Sequence, residues 1–152
     1  MPGFLLLSAI MAALTLTACS NEPQDAHPDQ PVSKRKAVFK HMLRTLEPLG
    51  MVVRERGDYD RQAFLAGARE LKQLAAEPWA YFTPDSNYPP TRAKPEVWQK
   101  PAEFAQAQQK LKESTEQLLK AAESGKLEQI RPALKSVEDS CKSCHQEFRG
   151  KS

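Results

Sequence analysis

The chain lacks a block of charge of one sign. Its 22 Lys and Arg are set against 19 Asp and Glu, for a net +3, and the basic residues are spread along the whole length. That distribution leaves no nucleic-acid footprint. Strand-like alternation of apolar and polar residues is also missing, so a sheet-based core is not indicated. Nor is there a hydrophobic run long enough to cross a bilayer: Phe4 to Ala18 holds about fifteen residues, where a spanning helix needs about twenty. Cysteine is scarce, three in all, and an odd number in an exported chain leaves one thiol to account for. What is present, 152 residues with 27% charged and 40% hydrophobic side chains, suits one compact soluble domain.

The uncharged run from Phe4 has the length of a secretory signal's apolar region. It ends in Leu16-Thr17-Ala18-Cys19, a small residue before a cysteine, as in bacterial lipoprotein signals. No Lys or Arg precedes the run, which departs from the usual positive start. Residues 1–18 are therefore expected to be a lipoprotein-type signal peptide, with Cys19 lipidated and the protein held in the periplasm on a membrane. Ser20, rather than Asp, after that cysteine favours the outer membrane. Residues 19–32, with three prolines and little to bury, read as a flexible tether. Residues 33–152 read as the folded domain.

From Ser33 the periodicity is helical. Phe39, Met42, Leu46, Leu49 and Val53 fall on one face, with Pro48 expected to kink or end the segment. A second helix is expected to begin around Asp58-Tyr59-Asp60 and to close at Pro78. Residues 77–101 hold six prolines and predict one long connection without regular structure, folded back onto the helices by Trp79, Tyr81, Phe82, Tyr88 and Trp98. Pro101 opens a third helix, Gly125 breaks the chain, and Leu127 to Phe148 forms a fourth that contains Pro132. The fold class is all-α, an antiparallel four-helix bundle.

The chemistry is concentrated near the C-terminus in Cys141-Lys142-Ser143-Cys144-His145. At this spacing two thiols and an imidazole project from one helix face. Two thiols can join the two vinyl groups on one porphyrin edge while the imidazole reaches the iron from the same side. The motif predicts one covalently bound haem c per chain, attached through Cys141 and Cys144, with His145 as the metal ligand. With Cys19 lipidated, no cysteine is left over. A thioredoxin-like dithiol would need a strand–helix context. A zinc site would need a fourth ligand, and the obvious candidates are poorly placed: His27 lies in the tether, and His41 is turned about 200° from Phe39. A sixth iron ligand must come from upstream of the motif. Past residue 18 only Met42 and Met51 are methionines, and Met42 shares the inward face with Phe39.

Taken with Arg35-Lys36-Ala37-Val38-Phe39, Glu77-Pro78-Trp79-Ala80-Tyr81-Phe82 and Lys94-Pro95-Glu96-Val97-Trp98, the motif resembles the class II c-type cytochromes, specifically cytochrome c prime. The resemblance spans about Ser33 to Lys151 and includes the run to Arg149. It implies that Arg35 pairs with a haem propionate, Phe39 caps the distal face and Arg149 sits near the proximal side of the iron. It also implies NO or CO as ligand, an unidentified redox partner and a homodimer through the first two helices. For Arg35 and Arg149 the competing reading is a solvated helix surface. Two functions stay open. With Phe39 over the iron, the protein is a five-coordinate, high-spin gas binder capable of one-electron transfer. With Met42 as sixth ligand, it is a low-spin electron carrier. No distal His/Arg pair is apparent, so it is not expected to be an enzyme.

Overall fold

The computed structural model describes residues 23–151. The expected signal peptide and Cys19 lie outside the described residues. Four long helices form the bundle: α1 (Pro31–Val53), α2 (Arg61–Leu74), α4 (Pro101–Ser124) and α5 (Leu127–Phe148). The crossover between α2 and α4 carries a 3-10 turn (Pro78–Tyr81) and one α-helical turn, α3 (Glu96–Gln99). No strand forms among the described residues, and no helix there is long and apolar enough to cross a membrane.

The helix ends follow from local chemistry. Pro31 and Pro101 sit in the first turns of α1 and α4, where the missing amide costs nothing. Asp60 caps α2, its Oδ1 accepting from the Ala63 amide at 2.9 Å. Gly125 ends α4 at φ 70, a backbone state that a Cβ would strain. Pro48 neither ends α1 nor divides it: the helix runs on to Val53 with one amide missing from its ladder. Pro132 is likewise carried inside α5.

Neighbouring long helices are antiparallel around the ring α1–α2–α4–α5. Arg61 at the start of α2 donates to the Glu123 carbonyl near the end of α4. Arg131 near the start of α5 donates to the Val53 carbonyl and to Glu55 just past the end of α1. The main core gathers Leu71, Leu118, Ile130, Leu134 and Val137, each at most 1% exposed, with Met42, Leu49 and Phe64. Each such side chain contributes about 1.5–3 kcal/mol by burial. α5 packs most extensively on α4 and only sparsely on α1, so the α1–α5 seam is the loose side of the ring.

Two expectations are corrected. The crossover is not devoid of regular structure, because proline at the first position of a turn starts a short helix as readily as it ends a long one. Residues 25–32 are not a loose tether. Helix α1 begins at Pro31, and Asp25 is only 8% exposed. Its carboxylate accepts from the Tyr88 hydroxyl at 2.5 Å and the Ser33 amide at 2.8 Å, which straps the N-terminal segment to the crossover.

Candidate functional site

The last turns of α5 carry Cys141, Cys144 and His145 on neighbouring positions. Both thiols are reduced and partly buried. Cys141 packs against the main core, and Cys144 against a second cluster of Val97, Phe104 and Phe148. Burial raises the Cys141 thiol above its ordinary value. Burial, then the neighbouring Cys141 and Glu147, pushes Cys144 up to about 11. A catalytic dithiol needs a lowered thiol, whereas both of these are raised. His145 is exposed along one side, and its pKa is lowered by partial desolvation, then by Arg149 and Arg92. The neutral imidazole, the form that binds metals, is thereby favoured.

An aromatic wall stands beside these residues. Phe39 of α1 meets Trp79 edge-on at 5.9 Å and Phe82 at 6.3 Å. Phe82 meets Phe104 at 5.0 Å, and Phe104 meets Phe148 at 5.1 Å, one turn past Cys144. The wall thus runs from α1 across the crossover to the end of α5. Met42 is 6% exposed and belongs to the main core cluster, whereas Phe39 is half-buried at its margin. The two side chains that sequence placed on one face therefore sit in different surroundings.

Arg35 is 3% exposed, so a solvated-surface role is ruled out. Its guanidinium donates to the Tyr81 carbonyl at 2.7 Å, to the Ser86 hydroxyl and carbonyl at 2.8 Å each, and to the Thr91 hydroxyl at 2.6 Å. It also lies 4.6 Å from the Phe82 ring centroid. Every one of these partners belongs to the crossover. Arg149 is exposed, caps α5 through its amide to the His145 carbonyl, and pairs with Ala93 in an isolated antiparallel bridge. Its charge acts on His145, which places it on that side of the site.

Sequence reasoning missed how the end of α5 is held. Lys94 donates its amide to the Phe148 carbonyl at 2.9 Å and its ammonium to the Glu147 carbonyl at 2.7 Å. A cation on the last carbonyls of a helix satisfies groups that otherwise face solvent and favours the helix dipole. The Gly150 amide donates to the Arg92 carbonyl at 2.8 Å. The only sequence signal was Lys94-Pro95, part of a family-like segment.

No group of three His, Cys, Asp or Glu side chains suited to a metal ion gathers among the described residues. His27 lies against Asp85 at 3.2 Å and His41 against Glu70 at 2.9 Å, both away from the thiols. Two surface clefts lie along α1, one toward Gly57 and one against α2, also away from Cys141. Residues 30–149 match the family model described as Cytochrome C'. The chain belongs to the cytochrome c prime family. The cytochrome c' of Alcaligenes xylosoxydans xylosoxydans is 34% identical over 128 residues, which are 84% of this chain and 99% of that one. Two solved variants of cytochrome c prime from Alcaligenes xylosoxidans, one with carbon monoxide bound and one a nitric oxide complex, each match with a TM-score of 0.78. Each is 34% identical and covers 84% of this chain and 100% of its own. Cytochrome c prime proteins are haem c proteins of electron transfer and gas binding, not enzymes. The donor set here suits haem c: two free thiols, an adjoining imidazole, an aromatic wall and a buried guanidinium.

Proposed function

We propose that this cytochrome c prime is a periplasmic gas-binding protein that holds one haem c through Cys141 and Cys144, with His145 as the iron ligand. When bound, haem supplies reversible binding of diatomic gases and a one-electron couple. The chain's residues would then set selectivity and access. Phe39 stands in the aromatic wall that reaches Cys144 and has no atom able to coordinate, which supports a five-coordinate, high-spin centre. An apolar ring there offers no hydrogen bond to bound dioxygen and so favours NO and CO. Arg149 lies on the His145 side, where its positive charge disfavours protonation of the imidazole. Arg35 orders the crossover that carries Trp79 and Phe82, and its positive charge suits a propionate at the same end.

The position of Phe39 at the wall, with Met42 sunk in the main core, carries this reading. The test is a visible absorption spectrum of ferric and ferrous holoprotein with and without NO. A high-spin spectrum that changes on NO addition is expected. A low-spin spectrum unmoved by NO would make Met42 the sixth ligand and the protein an electron carrier.

The same proposal includes a lipid on Cys19 and a bacterial membrane, with the outer favoured, and a redox partner for the one-electron couple. It also includes a homodimer through α1 and α2. Leu43 and Met51 on α1 are exposed at 54% and 42%, apolar side chains that such an interface would cover. Sedimentation of the holoprotein at twice the chain mass is expected, and a single-chain mass at micromolar concentration would remove the dimer.

A further inference from the structure

We infer that the lipid anchor holds the haem-bearing end of the bundle toward the membrane, so that the crossover face around Asn87 and Tyr88 is turned to the lipid headgroups. The inference rests on the lipidation of Cys19 proposed above.

The bundle has two unlike poles. One carries the Arg54–Gly57 turn after α1, the Gly125 turn after α4, and the start of α5, joined by Arg131 to Glu55 at 2.8 Å. The other carries the start of α1, the crossover and the end of α5 with Cys144 and His145. The N-terminal strap belongs to this second pole. Asp25 is fixed there by Tyr88 and the Ser33 amide, the His27 ring stacks on Tyr88 at 6.1 Å, and His27 Nε2 lies 3.2 Å from Asp85. One turn into α1, Arg35 binds the same loop at Ser86 and Thr91. The segment therefore leaves the fold at a defined point.

Chain length does the rest. Cys19 stands only six residues before Asp25. Fully extended, that span reaches about 20 Å. A lipid on Cys19 thus confines the strapped pole to within about 20 Å of the headgroups, whatever path the intervening residues take. The far pole is under no such limit. α1 has 23 residues and is about 35 Å long, so the Gly125 end sweeps a wide volume and stands off on average. A tether released at residue 32 would roughly double the free length and erase this preference. The strap converts a flexible leash into an orienting one.

The test uses full-length, haem-loaded protein purified with its lipid and placed in phosphatidylethanolamine–phosphatidylglycerol vesicles, with and without a nickel-chelating lipid. Nitroxide labels are attached at Asn87→Cys or Ser124→Cys, exposed positions at the two poles. The nickel-dependent gain in relaxation is expected to be severalfold larger at Asn87 than at Ser124. Releasing the strap with Asp25→Asn and Tyr88→Phe together should bring the two gains close together. Equal gains in the strapped protein, or a larger one at Ser124, would overturn the orientation. Intact mass decides the premise separately: a chain with no acyl mass on Cys19 overturns the lipid reading and this inference with it. An acylated chain with equal gains overturns the orientation alone.

Discussion

At the scale of single residues, Arg35 and Asp25 are the charged groups buried at the pole that carries Cys144 and His145. Arg35 supplies four hydrogen bonds to loop oxygens, two of them fully buried at Ser86. Removing it leaves buried acceptors unpaired, so Arg35→Met is expected to cost about 2–3 kcal/mol in urea unfolding. Arg35→Lys should recover only part of this, because an ammonium cannot reproduce the planar fork. Asp25 makes the second such centre. Burial raises its pKa, but hydrogen bonds from Tyr88 and from the backbone of Ser33 and His27 outweigh this and carry it below 3.8. Tyr88 is pushed up to about 12, first by desolvation and then by Asp25. A carboxyl lowered in the folded state stabilises fully above its unfolded value, and that stability is lost as pH falls through the folded value. The stability gap between the wild type and Asp25→Asn should therefore be constant above about pH 4 and narrow below it. Urea unfolding of both at pH 6 and pH 3 measures the change; an unchanged gap would remove Asp25 from the latch. Neither residue's partners were legible in the sequence. Arg35 and Asp25 bond to a loop some fifty to sixty positions away, and polar contacts of that range leave no periodic trace.

At the scale of elements, more was legible. The 3.6-residue spacing of Phe64, Ala68 and Leu71 marks α2 because burial on one face is what holds a helix of 14 residues together. Caps and breakers were equally visible: Asp60, Pro101 and Gly125 act through local backbone chemistry alone. Gly125→Ala should destabilise the protein by about 1–2 kcal/mol, since φ 70 penalises a Cβ. That Cβ would also stand 2.7 Å from the Arg61 side chain, which would have to move. Thermal melting of the variant checks the size. The prolines misled in proportion to how strictly they were read. Pro48 and Pro132 each remove one helical hydrogen bond, and packing of the surrounding face outweighs that local cost. In the crossover, Pro78 starts a turn that sets Trp79 and Phe82 into the aromatic wall, and only their tertiary neighbours reveal this.

For the whole molecule, the bundle class was legible from four amphipathic segments and one long connection, but the looseness of the α1–α5 seam was not. A prosthetic group at the end of α5 would complete that side. Cys141→Ala with Cys144→Ala is accordingly expected to give little soluble holoprotein after export. A haem-free double variant with the wild-type melting temperature would show that the seam closes unaided. The two poles bear on engineering as well. Asp25 is fastened to Tyr88 and Gly150 to Arg92, so both ends of the folded chain are pinned to one loop, four residues apart. The protein is thus a natural candidate for circular permutation. A short linker joining the old ends, with new ends opened at Gly125, would keep the long-range bonds described above. Anything attached to the new ends would then hang from the pole opposite Cys144 and His145.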